Sequence, residues 1–305
     1  MPDFALGLAA LGRPAYLNLG RAGALPAHRD VDAMRAACHA VLDAAYAAGV
    51  RRVDAARSYG RAEEFLAGWL ADRGHRDVRV SSKWGYAYVG GWRRDAGTHE
   101  VKEHSLARFT RQWGETRGLL GTAVELYQVH SLTDDSPLFG DPELLAALGE
   151  LRDSGVRLGF STSGPRQART VRRALELEVG GRRLFDAVQS TWNVLETSVG
   201  PALAWARESG AEVFVKEALA NGRLAVDPPP EVRARAAAHG VGPDAIALAA
   251  AGAQPWADVV LSGAASADQL RANLRARDVD LPPDAFDLAE EPDRYWATRS
   301  SLAWD

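Results

Sequence analysis

Short apolar, β-branched runs alternate along this chain with longer stretches in which apolar residues recur every three to four positions. The short runs predict strands near Phe4–Ala9, Arg52–Asp54, Val78–Ser82, Val124–Val129, Val156–Phe160, Ala187–Ser190, Glu212–Val215 and Val259–Leu261. The longer stretches predict helices over Ala33–Ala48, Ala62–Asp72, Val101–Thr116, Pro142–Asp153, Gln167–Leu177, Val199–Glu208, Glu231–His239 with Asp244–Ala251, and Ala267–Arg275. Gly49, Gly74, Gly155 and Gly210 each fall between a helix and the next strand, where a left-handed helix cap belongs.

Eight strands with intervening helices close most naturally into an α/β fold, a (β/α)8 TIM barrel. A doubly wound sheet would spread the same number over a longer chain, and no GxGxxG follows the first strand. The proline-rich stretches "DPPPE" and "LPPDAFD" keep the composition of their flanks, so they read as rigid loops and not as linkers. The expectation is a single domain over residues 1–305. Residues 279–305 would form a C-terminal covering tail, with Trp296 and Trp304 as its anchors.

Composition narrows the partners. With 36 basic against 40 acidic side chains the net charge is −4, which provides no basic field for nucleic acid or an anionic membrane. Cys38 stands alone inside a helical run, so no intrachain disulfide can form; it reads as core packing in a reducing compartment. The opening lacks a basic n-region and no eighteen apolar residues run together, so a soluble, cytoplasmic protein is expected. The seven histidines show no metal-ligand spacing, and no metal is expected.

Barrel chemistry collects at the C-terminal strand ends. Strand two ends at Asp54 and is followed by Tyr59, strand three ends at Lys83, and strand four ends at His130. Neighbouring strands lie about 4.8 Å apart, so these ends span roughly 10 Å and their side chains can meet. Singly, each has an ordinary role: Asp54 as a loop cap, Tyr59 as a half-buried aromatic, Lys83 in solvent, His130 in the core. Together they form an acid–base set for a carbonyl. The Lys83 ammonium lowers the pKa of the Tyr59 phenol, Asp54 orients the lysine, and His130 hydrogen-bonds the carbonyl oxygen.

These segments carry a family resemblance. "DAARSYG" resembles the D-x-A-x-x-Y-G of the aldo-keto reductases, "SSKWG" their strand-three lysine segment and "YQVHS" their strand-four histidine segment, in the family's order and from about Leu6 to Asn273. The resemblance implies a TIM barrel, hydride transfer between a nicotinamide cofactor and a carbonyl or alcohol of a small metabolite (aldehyde, ketone or sugar), and the tetrad Asp54, Tyr59, Lys83 and His130. Tyr59 would be the general acid–base.

The same resemblance assigns cofactor contacts. "GFSTSG" gives Ser161 and, in place of the family's asparagine, Thr162; Ser163 is positioned to take over that contact. "AVQSTWN" gives Gln189. "KEALANGRL" gives Lys216, where the family has an aromatic, and Gly222 with Arg223 beside Asn221. "LSGAASADQLRANL" gives Ser262, Gly263, Ala264, Gln269 and Asn273, with Ser266 as a helix cap near phosphate. NADP(H) is favoured over NAD(H), although Gly263, Ala265 and Gln269 carry no charge for a 2′-phosphate. Trp84, Tyr86 and Trp192, with Tyr88 and Trp92 beyond, are the aromatic candidates for substrate walls. Two alternatives keep the barrel: a cofactor-binding sensor with little turnover, and a Schiff-base aldolase or lyase using Lys83.

Overall fold

Eight parallel strands close into a barrel in the computed structural model, which describes residues 2–19 and 21–304. They are β1 (Asp3–Gly7), β2 (Arg52–Asp54), β3 (Arg79–Trp84), β4 (Val124–Leu132), β5 (Arg157–Thr162), β6 (Ala187–Thr191), β7 (Glu212–Lys216) and β8 (Val259–Ser262). β1 bonds to both β2 and β8, which removes every sheet edge. All eight predicted strands are present, with ends that move by up to three residues.

Period-two alternation sorts the strand side chains into layers. In β7, Val213 and Val215 pack outward under the helices, while Phe214 points inward with Ala5, Leu126, Ala187, Val259 and Leu261. Burying each such large side chain stabilises the fold by roughly 1.5–3 kcal/mol. Below this apolar plug, Arg52 and Arg157 meet Glu212 at 2.8 and 2.9 Å and close the N-terminal mouth. Above it the inward positions turn polar: Asp54, Ser81, Lys83, Gln128 and Gln189 are all buried. That polar layer is the floor of the candidate site.

The covering helices are α1 (Val31–Ala47), α2 (Ala62–Arg73), α3 (Leu106–Leu120), α4 (Pro142–Asp153), α5 (Gln167–Leu175), α6 (Gly200–Glu208), α7 (Pro230–His239), α8 (Pro243–Gly252), α9 (Ala267–Leu274) and α10 (Pro292–Ser301). Cys38 lies fully buried in α1, where burial pushes its thiol up to about 12. No helix among the described residues is long and apolar enough to cross a membrane.

The predicted helix over Val101–Thr116 starts later than the periodicity suggests. Glu100–Lys102 pairs antiparallel with Tyr86–Tyr88 in a hairpin, and α3 begins only after Ser105, whose hydroxyl accepts the Arg108 N–H at 3.1 Å. The hairpin stands over the C-terminal mouth and brings Tyr86 and Glu100 to the cleft.

The loop after β1 and the turn after β2 interlock through two glycines. A Cβ on Gly12 would stand 2.1 Å from the Tyr59 carbonyl oxygen, and Gly60, at φ 60°, sits against the Gly12 carbonyl. That carbonyl accepts the Arg61 N–H at 2.7 Å. Gly12→Ala is therefore expected to destabilise the protein by about 3 kcal/mol, the upper end of overpacking costs. An unchanged urea midpoint would show that the turn yields freely.

The tail folds back across the same mouth. Asn18 Nδ2 donates to the Ala303 carbonyl at 2.5 Å, Asn193 Nδ2 donates to Tyr295 Oη at 2.9 Å, and Trp296 is buried edge-on against Tyr295.

Candidate active site

A cleft of about 270 Å³ opens at the C-terminal strand ends. Asp54, Tyr59 and His130 line it, and Lys83 lies just beneath, 1% exposed. Each reaches this point for a local reason. Asp54 and Lys83 occupy inward positions of β2 and β3. Tyr59 sits on the turn locked by Gly12 and Gly60. His130 sits at an irregularity between β4 and β5, where the register shifts between Val129 and Leu132 and Ser131 takes φ 51°. Such a bulge re-aims a side chain. The Ser131 N–H released by it donates to Ser161 Oγ at 2.8 Å.

Lys83 is ion-paired with Asp54 and donates to the Ala55 carbonyl at 3.1 Å and to Tyr59 Oη at 3.4 Å. Asp54 also accepts from Ser81 Oγ at 2.7 Å, Gln189 Nε2 at 3.2 Å and Gln128 Nε2 at 3.3 Å. His130 stands edge-on to Tyr59 with ring centroids 5.5 Å apart, and its Nδ1 lies 3.3 Å from Ser58 Oγ. Burial first, then Lys83 and Lys216, pull its pKa well below the ordinary imidazole value, so His130 is a neutral hydrogen-bonding group at physiological pH.

The expected acidification of Tyr59 does not occur as a net effect. Burial, then the Asp54 charge, push its phenol well above the ordinary tyrosine value, and the cation that pulls it back down is Arg13. Lys83 touches the phenol, but its charge is compensated by the carboxylate against it. Tyr59 is thus held protonated, the state a proton donor to a carbonyl oxygen requires.

The sequence-predicted contacts divide according to strand alternation. β3 runs one residue past Lys83, so Trp84 falls on its outer face, packed against Phe109 at 5.1 Å and His104 at 5.8 Å, and does not reach the cleft. Burial pulls that His104 down to about 4. Thr162 likewise points outward, its hydroxyl between Ser190 Oγ at 2.7 Å and Gln167 Oε1 at 3.0 Å, and Ser163 lines the cleft in its place. Ser161 is buried beneath. Trp192 turns to a separate groove of about 410 Å³, edge-on to Trp256, whose lining contains no ionisable side chain.

Gln189, Lys216, Gly222 and Gly263 line the cleft, as does Tyr86. Arg223 does not; it is ion-paired with Glu290. Ser262 and Asn273 are buried with their side chains 2.8 Å apart, Ala264 is buried, and Gln269 Oε1 accepts the Ala265 N–H at 3.0 Å, so this quartet shapes the start of α9 from behind.

The residues present fit a dinucleotide. Asn221, at φ 57°, lines the cleft with a buried amide oxygen that has no partner, Gly222 follows at φ 100°, and a Cβ on Gly263 would meet open space. The Ser266 cap holds the α9 N-terminus, accepting the Gln269 N–H at 3.2 Å.

Sequence reasoning missed the other half of the cleft: Arg13, Tyr16, Glu100, Glu217 and Arg299. Arg13 is 1% exposed, donates to Glu100 Oε1 at 2.8 Å and the Ser58 carbonyl at 3.2 Å, and stands 4.4, 4.7 and 5.4 Å from the ring centroids of Tyr16, Trp304 and Tyr59. Glu217 lies 3.6 Å from Lys216 and accepts from Arg299 and from Thr191 Oγ1 at 3.1 Å. Burial opposes its charge, but Arg299 and Lys216 outweigh burial and hold the carboxyl far below its ordinary value. Two loops, a hairpin and the last helix supply these groups, and no spacing marks them.

Comparisons with known proteins agree with this fold. The chain matches AKR11C1 from Bacillus halodurans, an aldo-keto reductase in its holo form, at 20% identity and TM-score 0.65, covering 97% of this chain and 91% of that one. It matches the PA4992 protein of Pseudomonas aeruginosa, also assigned to the aldo-keto reductases, at 22% identity and TM-score 0.63, covering 89% and 87%. At such identities the likeness establishes the fold. None of the curated proteins matches in sequence. The sequence profile of the aldo/keto reductase family, however, matches residues 29–293, nearly the whole chain, and on that ground the protein belongs to the aldo/keto reductase family.

Proposed function

We propose that the protein interconverts a carbonyl and an alcohol on a small metabolite with a nicotinamide cofactor, NADP(H) in preference to NAD(H). The observation that carries this reading is a buried Tyr59 edge-on to His130, its hydroxyl 3.4 Å from a Lys83 ion-paired with Asp54, in a setting where burial raises the phenol's pKa and lowers the imidazole's. Bound nicotinamide supplies or accepts the hydride. The chain does the rest: His130 donates to or orients the carbonyl oxygen, Tyr59 delivers the proton to it, and Lys83, held by Asp54, orients the Tyr59 hydroxyl.

Gln189 and Ser163 are positioned for the carboxamide, Lys216 for a ring face or phosphate, and Asn221, Gly222 and Gly263 for the pyrophosphate. Thr162 and Arg223 act only through the groups they hold. NADP(H) is favoured because Arg21 lines the cleft, has no ion pair among the described residues, and packs its Cδ 3.0 Å from the place a Gly222 Cβ would take. Arg271 and Arg275 are engaged by Asp268 and the Gly240 carbonyl. The tail over 279–305 acts as a wall, since Arg299 and Trp304 line the cleft. An amine nucleophile at Lys83 would first have to break the Asp54 pair.

Fluorescence titration with NADPH and NADH, followed by a panel of aldehydes and sugars, tests the reading. NADPH is expected to bind tighter, and Arg21→Ala to weaken it about tenfold, as for one charge-assisted contact. Binding of neither nucleotide would remove the proposal; tight binding without turnover on any carbonyl would leave a sensor.

A further inference from the structure

Beyond Tyr59 and His130 the cleft wall is neither apolar nor singly charged. Arg13 and Glu100 face it as an ion pair, Tyr16 stands beside them, and Trp304 closes over the guanidinium. Arg13 makes its contacts through Nε and Nη1, and Glu100 through Oε1. Among the described residues, Arg13 Nη2, Glu100 Oε2, Tyr16 Oη and His130 Nε2 make no hydrogen bond within the protein. Burial holds the Tyr16 phenol in its protonated form, so it is a donor as well as an acceptor. Two donors and an acceptor therefore line the wall beside the general acid.

We propose that Arg13, Glu100 and Tyr16 form a substrate subsite that reads hydroxyl groups on the carbons next to the carbonyl, so that the substrate class is a hydroxylated aldehyde or ketone. The inference rests on the carbonyl–alcohol reading of the site. Proximity favours the carbons next to the carbonyl: the Arg13 guanidinium carbon is 5.4 Å from the centroid of the Tyr59 ring, so the pair is an immediate neighbour of the general acid.

Charge and desolvation decide the chemical class. A 2-oxo acid would place its carboxylate at Arg13 but also against Glu100, and like charges repel at that range. An unhydroxylated aldehyde would cover the pair, strip its water and return no hydrogen bond, which a site built for hydroxyls penalises heavily. A hydroxyl donates to Glu100 and accepts from Arg13 or Tyr16, satisfying both members of a net-neutral pair. Carbon–hydrogen faces of the same substrate pack against Tyr16, Tyr86 and Trp304.

The test uses matched substrates and a non-reacting ligand. Calorimetric titration of the NADPH-loaded protein with xylitol, which cannot react with a reduced cofactor, is expected to give saturable binding, with pentan-1-ol as the unhydroxylated reference. Glu100→Gln should weaken xylitol about ten- to hundredfold, as expected for a lost bond to a charged group. In steady-state kinetics the kcat/KM ratio of glyceraldehyde over propanal should exceed tenfold and collapse in Glu100→Gln, mainly through KM. Arg13→Lys, which keeps the charge and loses the fork, should collapse it likewise if Glu100→Gln fails to fold. Absence of xylitol binding, or a ratio that neither variant changes, overturns the subsite. Saturable xylitol binding with no turnover of any carbonyl sinks the catalytic reading instead and leaves the subsite standing.

Discussion

Tyr59→Phe is expected to lower kcat for carbonyl reduction by about 10²–10⁴-fold, the range supplied by a positioned proton donor. It should leave nucleotide affinity within about twofold. The phenol contributes one hydrogen bond to the protein, from Lys83 at 3.4 Å, which is too long to hold the turn in place. The turn is held by the Arg61 N–H to the Gly12 carbonyl and by Arg13 on the Ser58 carbonyl, and both survive the substitution. Because the lost interaction is made in the transition state, kcat and kcat/KM should fall together. The wild-type profile gives a second check with a definite sign. Tyr59 has its pKa raised and stays protonated as pH rises; His130 has its pKa lowered and stays neutral as pH falls. Reduction should therefore be flat between about pH 6 and 8, whereas alcohol oxidation, which needs a proton acceptor, should speed up with increasing pH. A Tyr59→Phe protein that retains a tenth of wild-type kcat, or a reduction rate that climbs steeply through pH 7, would take the proton-transfer role away from this residue.

The barrel and the meeting of Asp54, Tyr59, Lys83 and His130 at its strand ends were legible because both are written in local pattern. Alternating runs gave each strand, and a strand end is a fixed address in a closed barrel, so Asp54, Lys83 and His130 could be placed together across more than seventy residues of sequence. What failed depended on two residues of strand length. Extending β3 to Trp84 and β5 to Thr162 turned both side chains outward, because successive positions face opposite sides of a strand. The helix over Val101–Thr116 was misplaced because Glu100–Lys102 takes its conformation from a partner strand fourteen residues upstream. Arg13, Glu100 and Arg299 left no trace in spacing at all: they reach the cleft from the loop after β1, a hairpin strand and α10, and only tertiary packing brings them together. The electrostatics of Tyr59 were misjudged for a related reason. A nearby ammonium was visible in sequence, but the depth of burial that outweighs it was not.

Lys83→Met separates the structural from the catalytic role of the ion pair. Methionine matches the lysine stem in length and leaves the Asp54 carboxylate, 3% exposed, without its counter-ion and dependent on Ser81, Gln128 and Gln189. Breaking a buried pair by removing one partner costs about 3–5 kcal/mol, a large share of the stability of an ordinary protein. The single variant should unfold at a markedly lower urea midpoint and show little activity. Adding Asp54→Asn removes the stranded charge while keeping an amide that can still accept from Ser81, so the double variant is expected to recover most of the lost stability. Activity should stay low, because Tyr59 has lost the group that holds its hydroxyl. The two deletions are coupled by direct contact, so their stability effects should be strongly non-additive. If Lys83→Met alone unfolds at the wild-type midpoint, the pair contributes nothing net to the fold. If the double variant reduces carbonyls at the wild-type rate, Tyr59 works without its ammonium, and the convergence of β2, β3 and β4 at this point is packing and not chemistry.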